Sequence, residues 1–177
     1  GARGQFAALP LNLGFQKSSG YLVTGYWGYL ACQEAYKYTQ VFEKTLDLKK
    51  DQLKDESSFF KECAYVHYTE NETLEGVEII PLQMPQVKYV ADLTSNIASR
   101  QINWNVLDAA YASAQKNLGI AGAVYTFVRK SLLGQENPLT PNILNFQQVC
   151  ESDSLLNTAP VFSWYVTLKM LEWIQAQ

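Results

Sequence analysis

Lys116 stands in the run Tyr111-Ala112-Ser113-Ala114-Gln115-Lys116-Asn117-Leu118-Gly119. Apolar and small residues precede it and a glycine follows, the pattern of a buried strand passing into a turn. A lysine in that position suits an amine that must attack a carbonyl. It is a nucleophile only when neutral, and burial or a nearby cation drives it toward that state. For a lone lysine the blander reading, a solvated loop residue, is the commoner one. Asp92 supplies a second group, because it ends an earlier strand-like run, Val87 to Ala91. A carboxylate there can hold a protonated pyridine nitrogen and keep the ring an electron sink. Its alternative is a turn or cap residue, since Thr94, Ser95 and Asn96 follow. Together the two suggest a pyridoxal phosphate site.

Other residues fit the same chemistry. Trp27, in Thr24-Gly25-Tyr26-Trp27-Gly28, is placed to stack on a cofactor ring, or else to pack in the core. Gly1-Ala2-Arg3-Gly4-Gln5 opens a helix, whose free N–H groups and dipole suit a phosphate. It matches neither a Walker A loop nor GxGxxG. Asn71-Glu72-Thr73 matches a glycosylation acceptor by chance, while the Thr73 hydroxyl follows a strand and can reach the same pocket. His67 is the only histidine; inside Ala64-Tyr65-Val66-His67-Tyr68 it reads as a packed strand residue rather than a catalyst. No metal site is expected from one histidine and three scattered cysteines, Cys32, Cys63 and Cys150.

These groups need a scaffold. The chain has 177 residues, 47% apolar and 18% charged, with a formal net charge of −3. That is enough for one domain with a substantial core, and it offers no basic surface for nucleic acid. No apolar run is long enough to span a membrane. Unpaired thiols fit a cytoplasmic setting. Both ends look cut, so the chain reads as an internal piece of a longer protein.

Helices are predicted over Gly4–Leu11, Trp27–Tyr38 and Pro160–Ala176, the last entered by Asn157-Thr158-Ala159-Pro160. Strands are predicted over Tyr21–Thr24, Ala64–Tyr68, Val77–Ile80, Val87–Ala91, Val106–Ala114 and Ala123–Val128. A polar turn is expected from Thr69 to Gly76, a solvated charged segment from Asp47 to Ser58, and irregular chain from Leu133 to Ser154. The alternation predicts an α/β fold, a sheet layered with helices. Ligands of such sheets bind beyond the carboxyl ends of the strands, where Asp92 and Lys116 both fall.

The segments RGQFAALPLN, GYWGYLACQEAYKY, AYVHYTENETLEGVEI, ADLTSNIASR, SAQKNLGIAG and LNTAPVFSWYVTLKMLEWI carry a resemblance. In order and spacing they resemble phosphoserine aminotransferases, class V members of the fold-type I pyridoxal phosphate enzymes, across essentially the whole chain. The resemblance implies a three-layer α/β fold, a mixed, mostly parallel sheet with flanking helices. It implies that residues 1–177 are the pyridoxal-phosphate-binding large domain, truncated at both ends, with the small C-terminal domain absent. It implies transfer of an amino group between glutamate and 3-phosphohydroxypyruvate, in serine and, in many bacteria, pyridoxine biosynthesis.

By motif, Lys116 corresponds to the Schiff-base lysine, Asp92 to the pyridine-nitrogen partner, Trp27 to the stacking residue and Thr73 to the contact of the cofactor 3-hydroxyl. Ala2, Arg3, Thr94 and Gln115 correspond to phosphate-binding positions. Asn157 and Thr158 correspond to residues that reach the phosphate of a partner subunit, which implies a homodimer with a shared site. The chain departs from the family where Ala2 replaces a glycine, where NTAP stands for NTPP and VADLTS for AADFSS, and in the segments it lacks. Those include a His-Arg pair and an arginine that bind substrate, so the piece alone is expected to turn over little or nothing. Other readings are another class V enzyme, such as a cysteine desulfurase, or a non-catalytic dimerising fragment.

Overall fold

The computed structural model describes residues 1–47, 58–79 and 87–177. A sheet of six strands organises them, in the order β2-β1-β3-β6-β7-β8. The strands are β1 (Ser18–Val23), β2 (Gln40–Thr45), β3 (Cys63–Thr69), β6 (Tyr89–Asp92), β7 (Ala109–Ser113) and β8 (Val124–Val128). All neighbours pair in parallel except β7 with β8, which is antiparallel. The mostly parallel mixed sheet expected above is therefore present. A separate antiparallel pair, β4 (Asn71–Glu72) and β5 (Val77–Glu78), closes the turn after β3.

The central strands are buried on both faces, and their side chains alternate between two cores. Tyr21, Val23, Tyr65, Val90, Ala109 and Tyr111 face α1 (Arg3–Leu13) and α2 (Tyr26–Ala35), packing with Phe6, Leu9, Ala31 and Ala35. Leu22, Val66, Tyr68, Tyr89, Ala91, Ala110 and Ala112 face the other way, against Leu93, Ile97, Leu107 and Leu118. Two further helices follow, α3 (Phe146–Glu151) and α4 (Val161–Gln175). Residues 117–123 are drawn against α4 by two glycines with positive φ. A Cβ at Gly119 would stand 2.8 Å from Val166 Cγ1, and one at Gly122 2.3 Å from Ser163 Oγ.

Several expectations need correction. β2 was not anticipated, because its residues are half-buried and include Glu43 and Lys44. Asn145 caps α3 within the stretch read as irregular, its Oδ1 accepting from the Gln148 N–H. The helix predicted to reach Tyr38 ends at Ala35, and Val106 to Asp108 precede β7 rather than belong to it. Most of the Asp47–Ser58 segment, and Ile80, lie outside the described residues.

Among the described residues no helix is long and apolar enough to cross a membrane, and no cluster of three or more His, Cys, Asp or Glu is placed to hold a metal.

Candidate active site

Five parallel strands end along one edge, and the segments that follow β1, β3, β6 and β7 meet there. Asp92 is the last residue of β6, and Ser113 the last of β7. Lys116 lies in the turn beyond Ser113. That turn is fixed by the Ala114 N–H donating to the Ala123 carbonyl, by Asn117 Nδ2 donating to the Ile97 carbonyl at 2.9 Å, and by burial of Leu118. A cavity of about 360 Å³ opens there, lined by Ala2, Arg3, Trp27, Asp92, Thr94, Gln115 and Lys116, together with Gly1 and Phe6. Seven of the residues picked out in the sequence thus converge from positions 2 to 116. The volume is that of a small-ligand site.

Asp92 is 6% exposed. Burial raises its pKa, opposed by hydrogen bonds from the Thr94 side chain and N–H, by one from Tyr111, and by the Lys116 charge. The Thr94 N–H reaches its Oδ1 at 2.9 Å, as the turn reading of Asp92 expects, and the same carboxylate lines the cavity. Partial burial lowers the pKa of Lys116, while the Asp92 and Glu72 carboxylates push it back up. Its Nζ donates to Thr73 Oγ1, which brings Thr73 to the lysine.

Arg3 lies over the Trp27 ring, 5.9 Å from the centroid. The Ala2 N–H donates to Ser113 Oγ at 3.2 Å, and the Ser113 N–H to Thr94 Oγ1 at 3.3 Å. Ala2 has φ −54° and ψ −27°, so alanine in place of glycine carries no backbone strain there. Asn157 and Thr158 are exposed and do not line this cavity; Asn157 lines a separate one near Pro160 and Trp164.

The sequence reading passed over Glu72. It is fully buried and accepts from the N–H groups of Trp27 at 2.9 Å and Gly28 at 2.7 Å, while Glu75 accepts from Tyr26 at 3.0 Å. Two carboxylates from the turn after β3 therefore satisfy the free N–H groups that start α2, and they favour its dipole. Gly25 permits the approach, since a Cβ there would lie 2.7 Å from Glu72 Cγ. The clamp fixes Trp27 over the cavity. In the sequence Glu72 is only a carboxylate three residues past β3, and its role appears when the fold sets it against the start of α2.

The donor set suits one kind of ligand. A buried carboxylate, an amine with lowered pKa, an indole plane and a cationic helix start form a cradle for a flat, phosphorylated, cationic heteroaromatic aldehyde.

The chain belongs to the family Aminotransferase class-V, matching it over residues 6–177. Among its relatives is the phosphoserine aminotransferase of Wigglesworthia glossinidia brevipalpis, 39% identical over 98% of this chain and 50% of that protein. That of Mannheimia succiniciproducens is 42% identical over 94% of this chain and 48% of its own length. The chain thus spans about half the length of the curated relatives it matches. The structure of phosphoserine aminotransferase from Bacillus circulans subsp. alkalophilus superposes with a TM-score of 0.87 at 31% identity, over 99% of this chain and 50% of that one. The pyridoxal-phosphate-bound phosphoserine aminotransferase from Trichomonas vaginalis gives 0.86 at 26%, over 99% of this chain and 52% of that one.

Proposed function

We propose that residues 1–177 form the pyridoxal-phosphate-binding large domain of a phosphoserine aminotransferase, with Lys116 as its cofactor-bonding amine. The observation that carries this is the meeting of Lys116, Asp92, Trp27 and Arg3 around one cavity at the carboxyl edge of the sheet. The bound cofactor would supply an aldehyde carbon and a ring that accepts electrons from a substrate Cα–H bond.

Lys116 would offer its amine to that carbon, and its partial burial favours the neutral, nucleophilic form. Asp92, the buried carboxylate of the cavity, would hold the ring nitrogen and balance its positive charge. Trp27, whose backbone Glu72 fixes, would stack on the ring and keep water from one side. Thr73 holds the lysine while it waits. Arg3 and the start of α1 supply the positive end for the phosphate, and Gln115 lines the same cavity. Thr94 and the Ala2 N–H line the same cavity and would add donors for the phosphate.

Asn157 and Thr158 stand outside the Lys116 cavity, in keeping with a homodimer in which they complete the partner's phosphate site. Parent substrates are then phosphoserine, glutamate and their 2-oxo acids, in serine and pyridoxine biosynthesis in the cytoplasm. The piece by itself turns over little, because positioning the substrate draws on the other half of the relatives' length.

Mixing the purified chain with pyridoxal phosphate should give a yellow complex. Borohydride should then fix the label on Lys116, and the Lys116→Ala chain should carry none there by peptide mass. Label on another lysine of the folded chain, or full-rate transamination by the piece, would sink the respective claim.

A further inference from the structure

His67 is the only histidine of the chain and is fully buried in β3. Its Nε2 lies 2.9 Å from the Tyr111 hydroxyl, and the two rings stack with centroids 5.9 Å apart. Tyr111, also fully buried, pairs in register with Asp92 across β6 and β7, and its hydroxyl is close enough to the Asp92 carboxylate to favour the ionised form. Three side chains from three adjacent parallel strands therefore form one line, whose outer end, Asp92, lines the cavity. His67 Nδ1 has no partner.

The proton count gives the line a direction. The Tyr111 hydroxyl has one proton and touches two acceptors in waiting, the Asp92 carboxylate and the imidazole. An ionised Asp92 can only accept, so the Tyr111 proton points to it. The phenol oxygen must then accept from His67 Nε2–H, which leaves the unpaired Nδ1 as a bare lone pair. The reverse arrangement needs a protonated Asp92 and strands an Nδ1–H donor in the core, which proteins seldom tolerate.

Building on the reading of the cavity above, we propose that His67 and Tyr111 are positioning residues, a one-way hydrogen-bond chain that aims Asp92 at the cavity and keeps it a pure acceptor. The chemical partner of Asp92 is then a cationic ring N–H. Neither residue touches the cofactor; both act through Asp92.

The surroundings are consistent with this direction. Burial lowers the His67 pKa from 6.5 to about 3, so the ring is neutral at ordinary pH. Its ring neighbours are Tyr21, with centroids 5.1 Å apart, and Tyr111, and Tyr65 bonds the Tyr21 hydroxyl. Asp92 faces Thr94, Tyr111 and Lys116, and its charge acts on Glu72. The stability that neutral His67 contributes is complete above pH 6.5 and is lost as pH falls toward 3. Asp92 and Glu72, both raised by burial, run oppositely and cost less stability as they protonate.

The test is ¹⁵N and ¹³C NMR on the cofactor-free chain, where a single histidine gives one unambiguous pair of imidazole signals. The expected result is the Nε2–H tautomer, with no protonation down to about pH 5. Tyr111→Phe should move the Asp92 titration midpoint upward by about one unit. His67→Leu should move it less, and His67→Gln, which restores an N–H donor, should return it. In wild type, the Nδ1–H tautomer or a histidine titrating near its ordinary value would overturn the proposal. So would an unmoved Asp92 midpoint in folded Tyr111→Phe or, should that variant not fold, in His67→Leu. Failure of the wild-type chain to bind pyridoxal phosphate would refute the functional reading above and leave the tautomer result standing.

Discussion

The carboxyl edge of the sheet and helix α4 put similar residue types to opposite uses. At the edge, tyrosines, a histidine and carboxylates are buried and paired, as in His67–Tyr111–Asp92 and in Glu72 under Trp27. Along α4, Phe162, Trp164, Tyr165, Leu168, Leu171 and Trp173 are all exposed, and only Ser163 and Thr167 are buried. The edge is finished by this chain's own backbone. The helix is held at one end, where Ser163 Oγ donates to the Ala121 carbonyl at 2.7 Å, and its apolar side is left to solvent. Exposed apolar surface on this scale marks an interaction face. The buried polar groups of the edge thus find their partners within this chain, while the apolar surface of α4 does not.

That contrast can be attacked at graded strength. Asp92→Asn keeps the shape and removes the charge, so pyridoxal phosphate affinity should fall about 100-fold by titration of cofactor absorbance. A fall of only a few-fold would mean that the edge is less committed than its geometry suggests. Glu72→Ala strands the N–H groups of Trp27 and Gly28, and urea unfolding should show a loss of about 2–4 kcal/mol. Leu168→Gln on α4 should change the chain's stability by less than about 0.5 kcal/mol, because the side chain is already 51% exposed. A large loss there would show that α4 is covered in solution.

The sequence showed some of this organisation plainly. The alternation of α1, β1, α2 and β3 was readable because apolar spacing and glycine punctuation agree there. Lys116 and Asp92 stood out because each follows an apolar run, Trp27 because it opens a helix after a glycine, and Arg3 through the family resemblance; the structure brings all four to one cavity. The edge strand β2 was hidden by its charges, since a half-buried strand lacks the apolar run of a central one. Glu72 was hidden because its role exists only once β3 brings it to the first turn of α2. Tyr111 looked like ordinary core in Ala109-Ala110-Tyr111-Ala112-Ser113, and only the in-register pairing with Asp92 shows what its hydroxyl does. His67 was rightly read as a packed strand residue, but its partner comes from two strands away.

The parallel sheet has a consequence for how the site comes into being. No two neighbouring parallel strands are joined by a hairpin, so each pairing closes a long loop before any contact rewards it. Trp27, Asp92 and Lys116 come from the ends of three different strands and Arg3 from the helix before the first, and the cavity exists only when all have docked. Cofactor uptake therefore doubles as a clock for assembly. In a refolding experiment, its colour should develop with the last slow phase rather than with the early gain of helix.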